Sequence, residues 1–394
     1  MTTSEPASTP APPAPPRSKG FVVGRVAGAP VIITRSWFLA AVVLTILFVP
    51  NVQAIAPQLG AGAYLVAFVF VLLLFGSVFL HEAAHALVAR ARGQHVTELA
   101  VTLWGGHTAY TGGLGRPLDG FLVAVVGPLT NLALAAAFWF AWDPAAVQNV
   151  PMMLLYAGAV SNAFVGVFNL LPGLPLDGGQ ILESLVWAVT GKRTTGTVVA
   201  GWVGRVVAVG VLLWALVVPF LQGTTPSLTT VLWSALIGAF LWAGAGAAIT
   251  NGRRREAIAG LSARGLATPA LLVPFGSTVA EALSARVTAV ADGASPSTSY
   301  RLVVVGHDQV PIAVLDDDAV AAVPTSAHHL TKVDAVAVPF VPGSAVSPGM
   351  SGTDLLNHLA GSSRGARLVP VVDAGRVTGV LDLADVARAI RATG

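Results

Sequence analysis

Long apolar stretches alternate with short polar segments over the first 250 residues of the chain. A helix needs about 20 apolar residues to cross a bilayer core of ~30 Å. Six stretches reach or approach this length: 37–55, 62–90, 119–142, 151–190, 203–221 and 229–249. Pro172 and Pro175 interrupt the fourth of them. The pattern predicts a polytopic α-helical membrane protein with six transmembrane helices.

Basic residues indicate how these helices are oriented. Lys and Arg precede the first stretch and recur in alternate connections, whereas 56–61, 143–150 and 222–228 contain none. Because Lys and Arg remain on the cytoplasmic side of a membrane, both termini are expected in the cytoplasm. The run at 253–255, three arginines, is expected at the cytoplasmic end of the last helix.

Composition divides the chain into three parts. Residues 1–20 are rich in Pro, Ala and Ser, which predicts a disordered tail, and 21–252 carry the apolar stretches. From 253 to 394, short β-like runs alternate with helix-like stretches, which predicts a cytosolic α/β domain. Two weakly similar halves, about 260–325 and 333–394, indicate a duplicated module.

The overall composition excludes several classes of protein. A chain with 54% hydrophobic and 10% charged residues is too apolar for an ordinary soluble protein. The absence of cysteine excludes disulfides and thiolate metal sites, so a transition metal would need His, Asp or Glu. The basic residues lie beside hydrophobic segments and do not cluster with aromatics, so we expect no nucleic-acid partner.

A possible metal motif lies in the second apolar stretch. In a helix, His81 and His85 share one face and can bind one zinc ion, with Glu82 beside it. The alternative is that all three are polar residues at a helix end that reach for the interface. Catalytic zinc usually has a third protein ligand, and Asp177 is the candidate because it lies where prolines and glycines break the fourth stretch. Asp177 could instead only cap the helix that follows.

The segment 96–114 follows the proposed metal-binding helix. Its β-prone residues flank Gly105 and Gly106, which predicts a β-hairpin at the interface whose edge could pair with an unwound substrate. A plain cytoplasmic loop is the alternative. His107 in this segment is either a resting-state zinc ligand or, as is commoner for a loop histidine, a solvated or hydrogen-bonded group.

Together these motifs resemble the site-2 proteases, intramembrane zinc metalloproteases of peptidase family M50. The resemblance rests on His81-Glu82-x-x-His85, on Asn169-Leu-Leu-Pro followed by Leu176-Asp177-Gly178-Gly179, and on Gly127-Pro128-Leu-Thr-Asn131. It implies one Zn²⁺ per chain bound by His81, His85 and Asp177, with Glu82 as the catalytic base of a zinc metalloendopeptidase. It also implies that the hairpin is re-entrant.

The amides Asn131, Asn162 and Asn169 lie on hydrophobic helices, where such residues usually form interhelical hydrogen bonds. By the resemblance, Asn131 and Asn169 bind the substrate backbone or the oxyanion, whereas Asn162 is interpreted as packing.

The family implies a bacterial cytoplasmic membrane and a single-span membrane protein substrate in the lipid bilayer. Anti-sigma factors and transcription-factor precursors are typical, and the sequence does not choose between them.

The region after residue 253 resembles a tandem pair of CBS modules, which often bind adenine nucleotides. The second half has Asp382 where a hydroxyl is expected, which would repel phosphate, although Asp385 could bind ribose. The first half lacks the pattern. Adenine nucleotide binding therefore competes with a module that docks substrate or forms a homodimer.

Two other classes of protein fit part of the sequence. A CBS-gated membrane transporter or channel explains the architecture, but it does not explain Glu82 between two histidines at ligand spacing. An inactive protease homologue would be expected to lack one of the four site residues, and all four are present.

Overall fold

The computed structural model describes residues 18–103, 105–111, 114–146, 149–291 and 299–391. The chain divides into two compact units, one up to Ile249 and one from Thr250 onward. This division falls three residues before the one expected from composition.

The first unit is built on long apolar helices. They are α1 Arg35–Ile55, α2 Gly62–Ala91, α3 Pro117–Ala141, α4 Val150–Asn169, α5 Asp177–Thr190, α6 Arg193–Leu221 and α7 Leu228–Gly260, with 3₁₀ turns at Pro57–Leu59 and Pro144–Ala146. Six of the seven, all but α5, are long and apolar enough to cross a membrane. The prediction of a membrane protein with six apolar helices is therefore confirmed.

The fourth apolar stretch is not one helix. Helix α4 ends at Asn169 and α5 begins at Asp177, and the seven residues between them include Pro172 and Pro175. A proline lacks the N–H that a helix interior needs and its ring clashes with the preceding turn. The break places Asp177 in the first turn of a new helix.

A four-stranded sheet lies in the same unit. Its strands are β1 Gly20–Val26, β2 Ala29–Thr34, β3 His95–Thr102 and β4 Gly105–Thr111, in the order β1-β2-β3-β4. The predicted hairpin corresponds to β3 and β4, whereas β1 and β2 were not predicted. Residues 1–17 of the predicted tail lie outside the described residues, and Gly20 already begins β1.

The second unit is an α/β structure, as expected. Its elements are α8 Ala263–Leu266, β5 Thr268–Pro274, α9 Val279–Ala291, β6 Arg301–Val305, β7 Pro311–Leu315, α10 Asp317–Ala322, β8 Ala337–Pro339, α11 Gly352–Ser362, β9 Leu368–Asp373, β10 Arg376–Asp382 and α12 Leu383–Arg391, with 3₁₀ turns at Thr325–Ala327 and Val333–Val336. The six strands form one sheet in the order β8-β7-β6-β5-β10-β9.

The order helix, strand, strand, helix occurs twice in this unit, as α9-β6-β7-α10 and as α11-β9-β10-α12. Each copy has its own apolar core, one around Leu302 and Leu315 and the other around Leu355 and Leu381. The repeated order is what the two weakly similar halves of the sequence predict.

Candidate metal centre

Two histidines meet on one face of α2. His81 and His85 are one helical turn apart, so their side chains point the same way. Both residues are buried, and their Nε2 atoms lie 3.0 Å apart. Two nitrogen atoms this close, with neither able to move away along the helix, form a site for a shared proton or a metal ion.

The other ring nitrogen of each histidine has an acceptor. The Nδ1 atom of His81 lies 2.5 Å from Oδ1 of Asn131, and that of His85 lies 2.6 Å from the carbonyl oxygen of Val123. Both partners lie on α3. When Nδ1 carries the proton for such a bond, Nε2 presents its lone pair, which is the arrangement typical of metal-binding histidines.

Asp177 completes a group of three. Its carboxylate oxygens lie 3.1 Å from His81 Nε2 and 3.4 Å from His85 Nε2. The N-cap of α5 is Leu176, and no backbone N–H in the described residues donates to the Asp177 carboxylate. These contacts are what the ligand interpretation of Asp177 requires, and that interpretation stays a prediction.

The donor set fits zinc. One ligand atom from each residue of this group lies within 4.8 Å of the others. Tetrahedral zinc with bonds of about 2.0–2.1 Å needs ligand atoms roughly 3.3 Å apart, close to the separations seen here. Two imidazoles and one carboxylate also match catalytic zinc sites that keep a fourth position for water.

The backbone of α3 approaches the two histidines closely at Gly127. A Cβ atom added there would overlap His85 Nε2 and would lie 2.7 Å from His81 Nε2. Any residue larger than glycine would displace the imidazoles, so glycine at this position is what lets α3 pack against them.

Glu82 lies beside the histidines and contacts strand β4. The hydroxyl of Thr108 donates to Glu82 Oε2 at 2.8 Å and lies 3.2 Å from the Glu82 carbonyl oxygen. A Cβ atom on Gly106 would overlap Glu82 Cγ. The hairpin therefore fixes one carboxylate oxygen of Glu82 and leaves the other for a further partner.

Comparisons with known proteins agree with this chemistry. The profile of peptidase family M50 matches residues 140–214. A candidate zinc metalloprotease of Synechocystis sp. is 28% identical over 376 residues, which cover 94% of this chain and 95% of that protein. Rip3, a candidate zinc metalloprotease of Mycobacterium tuberculosis, is 28% identical over 386 residues, which cover 93% of this chain and 92% of that protein. These matches support the assignment of the chain to the site-2 proteases of peptidase family M50.

Among solved structures, the site-2 protease from Methanocaldococcus jannaschii is 22% identical and covers 58% of this chain and 94% of its own, with a TM-score of 0.41. The similarity to zinc metalloproteases over nearly the whole chain, with the six apolar helices, supports a multi-pass membrane zinc metalloendopeptidase. It favours the protease over the alternative of a CBS-gated transporter or channel.

A cavity of about 460 Å³ opens onto the candidate metal centre. The three candidate ligands and Glu82 line it, and so do Asn169 and His107. Asn169 lines the same cavity as the candidate ligands, and its contact with a substrate stays a prediction.

Three polar residues that the sequence did not single out also line the cavity: Thr108, Tyr110 and Gln180. Thr108 and Tyr110 follow Gly106 at intervals of two, so the predicted hairpin already implied that they share its face. Burial raises the pKa of the Tyr110 phenol and nearby carboxylates add to this, although Arg193 opposes it, so the hydroxyl stays protonated.

Asn131 does not line this cavity, unlike Asn169. It is 1% exposed, with Oδ1 at His81 and Nδ2 donating to Asn162 Oδ1 at 2.8 Å. Asn162 in turn donates to Ser77 Oγ at 3.1 Å and to the Gly158 carbonyl oxygen. Both ends of the Asn131 amide are thus hydrogen-bonded behind His81, where they are not directed at the cavity in which Asn131 would bind substrate.

His107 lies near the centre, and its closest described ionic partner is Glu98, not a candidate ligand. His107 Nε2 is 3.5 Å from Glu98 Oε1, and Ser18 donates to Glu98 from its backbone N at 2.9 Å and from its hydroxyl at 2.6 Å. Burial raises the pKa of the Glu98 carboxyl, but the bonds from Ser18 and the neighbouring His107 outweigh it and hold the pKa below its usual range.

In the C-terminal unit, Asp385 forms an ion pair with Arg388, one turn along α12. Asp382 accepts from the backbone N of Ala384 and pairs with Arg367. A cavity of about 450 Å³ is lined by Arg301, Arg367 and three consecutive aspartates from Asp316, and Asp385 is not among the described residues that line it. The ribose contact predicted for Asp385 stays a prediction.

Proposed function

We propose that this site-2 protease binds one zinc ion per chain through His81 Nε2, His85 Nε2 and the carboxylate of Asp177, with Glu82 as the catalytic base. The observation that carries the proposal is the meeting of these three ligand atoms within 4.8 Å at the wall of one cavity that also contains Glu82. The histidine Nδ1 bonds to Asn131 and Val123 support it, because they leave both Nε2 atoms to face the ion.

Zinc bound at this position supplies Lewis-acid activation of a water molecule and of the scissile carbonyl. The remaining step that the protein must perform is the transfer of one proton from that water to the leaving amine. Thr108 holds Oε2 of Glu82, so Oε1 accepts the proton of the attacking water and delivers it to the leaving amine. No covalent link between enzyme and substrate is needed.

The substrate proposed is a membrane-spanning segment of another protein, of the anti-sigma factor or transcription-factor precursor type. Such a helix hides its peptide bonds within its own hydrogen bonds, so it must unwind before cleavage. Strand β4 is at the end of the four-stranded sheet and pairs there with β3, while its residues line the cavity. An unwound substrate strand could add to β4, and Asn169 could bind its backbone. A re-entrant position of the hairpin remains part of this proposal.

The positions of Lys and Arg support cytoplasmic termini in a bacterial membrane. The duplicated helix-strand-strand-helix order supports a pair of CBS-like modules in the C-terminal unit. Because Asp385 is paired with Arg388, we favour a docking or homodimer role for these modules over adenine nucleotide binding.

The test is to purify the full chain in detergent, measure its zinc content and follow cleavage of single-span membrane proteins. Glu82→Gln keeps the shape of the side chain but cannot take a proton. We expect about one zinc per chain in the parent and in the variant, with cleavage reduced by roughly 10²–10⁴-fold in the variant.

Glu256→Gln is the matched control, because Glu256 is an exposed glutamate on α7, and it should cleave like the parent. Equal cleavage by Glu82→Gln and the parent would contradict the assignment of the base.

A further inference from the structure

Arg205 on α6 lies between two tryptophan rings. Its guanidinium carbon is 4.7 Å from the ring centre of Trp202, which is on the same helix, and 4.9 Å from that of Trp242 on α7. Its guanidinium also approaches Gly246, where a Cβ atom would lie 3.5 Å from it. The two indoles cover the faces of the guanidinium by cation–π contact. Its N–H groups, which point along its edge, are not used by these contacts.

This arginine lacks an acceptor within the described part of the chain. Its Nε atom is buried without a hydrogen-bond partner, and no carboxylate there forms an ion pair with it. Two other arginines of the same unit are paired, Arg92 with Asp119 and Arg193 with Glu183. An unpaired cation in a helix that crosses a membrane is costly, by about 2.5 kcal/mol or more on insertion scales. Arg205 therefore needs a partner from outside the protein.

We infer that Arg205, Trp202 and Trp242 form a binding site for the phosphate of an anionic phospholipid. The fork of guanidinium donors matches two phosphate oxygens, and such charge-assisted bonds are about twice as strong as neutral ones. Each tryptophan residue is about half exposed, at 49% and 48%. The exposed half of each indole is therefore available for contact with the same lipid.

The lipid bilayer supplies this partner more directly than a soluble ligand does. Arg205 is twelve residues from the start of α6, a rise of about 18 Å, so its side chain must either extend to the headgroup layer or draw a headgroup inward by local thinning. Because its Nε is buried, extension to water cannot satisfy that donor. A net negative lipid is favoured over a zwitterionic one because no carboxylate in the described residues balances the charge of Arg205.

The site does not depend on the proposed catalytic residues. It nevertheless lies beside the segment that leads into Asp177. Gly204, next to Arg205, packs so closely on the Leu174 backbone that it leaves no room for a side chain, and Gly244 approaches Pro175 in the same way. A phospholipid bound to Arg205 and Trp242 would hold α6 and α7 together beside the segment that leads into Asp177.

The experiment is native mass spectrometry of the full chain in detergent with equal amounts of phosphatidylglycerol and phosphatidylcholine. We expect the parent to retain phosphatidylglycerol in preference to phosphatidylcholine. Arg205→Gln should weaken that retention roughly tenfold, as expected for the loss of a charged hydrogen-bonding group. Arg205→Lys keeps the charge but loses the fork, so its retention should fall between the two.

Arg253→Gln is the matched control, since it removes one positive charge from an exposed position on α7 and should retain lipid like the parent. If Arg205→Gln fails to fold, Trp242→Leu keeps the arginine and removes one stacking face, and should weaken retention less. A thermal shift assay separates the sources of phosphate: phosphatidylglycerol should raise the melting temperature of the parent, and inorganic phosphate should not.

Three results would overturn the site. They are equal retention by Arg205→Gln and the parent, equal loss in Arg205→Gln and Arg253→Gln, and equal retention of the two lipids by the parent. A rise in melting temperature with inorganic phosphate as large as with the lipid would overturn the lipid as the ligand.

Discussion

The membrane unit and the C-terminal unit bury different kinds of side chain. In the membrane unit, His81, His85, Asn131 and Asn162 are all less than 10% exposed and are joined by hydrogen bonds. In the C-terminal unit the two main cores are aliphatic, and although Asp382 is buried, other carboxylates such as Asp317 form ion pairs at the surface. The membrane unit thus joins buried polar side chains by hydrogen bonds, whereas the C-terminal unit keeps most of its ion pairs at the surface.

This contrast indicates in which unit substitutions of polar residues are expected to impair function. Burying a polar group costs free energy unless it is hydrogen-bonded, and each lost partner leaves that cost uncompensated. In the membrane unit, the buried polar groups surround the cavity at the candidate metal centre. Substitutions of these groups should therefore change metal binding and cleavage. Substitutions among the surface charges of the C-terminal unit should change little. The predictions below test this contrast, beginning with the largest effect.

Removal of the third ligand should have the largest effect. Asp177→Ala leaves two histidines, and zinc retention and cleavage should fall by more than the roughly 100-fold that loss of an outer partner costs. Zinc content after dialysis and the cleavage rate measure this. Asp143→Ala, an exposed aspartate, is the control and should keep its zinc. Unchanged zinc in Asp177→Ala would return this residue to a structural role.

Gly127→Ala should be nearly as damaging, because the added methyl group would overlap His85 Nε2. We expect zinc affinity to fall by about 100-fold, similar to the loss of a strong outer partner. Gly210→Ala on α6 is the matched control, since nothing lies within 4 Å of its added Cβ. Alanine favours a helix over glycine by about 1 kcal/mol, so a loss in Gly127→Ala alone cannot come from helix propensity. Normal zinc binding by Gly127→Ala would contradict the close packing of α3 against His81 and His85.

Asn131→Ala should weaken zinc binding by about 10–100-fold, because His81 Nδ1 would lose its acceptor while the ligand atom itself remains. Competition with a chelator measures this affinity. Asn149→Ala, an exposed asparagine before α4, should bind zinc like the parent. A variant that kept zinc but lost substrate binding would instead support the contact with substrate predicted from sequence.

The smallest effect is expected at Asp317, which pairs with Arg286 and Arg301 on the surface of the C-terminal unit. Asp317→Ala should lower the free energy of unfolding of that unit by no more than about 1 kcal/mol and should leave zinc content unchanged. Denaturant unfolding monitors the first quantity and metal analysis the second. A loss of zinc here would contradict the division of roles between the units.

Much of the metal centre could be predicted from sequence because its signals are local. The spacing of His81 and His85 follows from the helical repeat, and Pro172 and Pro175 mark where the chain must break before Asp177. Interhelical hydrogen bonding was expected for Asn131, but its partners, His81 and Asn162, could not be predicted in this way. The pairing depends on how far α3 is rotated about its axis against α2, which no short pattern encodes.

The strands β1 and β2 were missed for a similar reason. Strand β2 pairs in parallel with β3, whose residues are more than 60 positions further along the chain. The segment from Gly20 to Thr34 also leads directly into the apolar residues of α1, so its strand character is hard to separate from the helix that follows. The close approach of Gly127 to His85 and of Gly106 to Glu82 likewise results from packing, and the sequence does not show which side chain lies next to a glycine.

The two bonds from Ser18 to Glu98 bear on how the chain tolerates trimming at its amino terminus. A shortened form beginning at Gly20 would lack both donors, and a buried carboxylate would then have His107 as its nearest described partner. His107 is on the strand that also carries Thr108, the residue that holds Glu82. Removal of these nineteen residues would thus change the surroundings of His107. That residue is adjacent to Thr108, whose hydroxyl is proposed to orient Glu82.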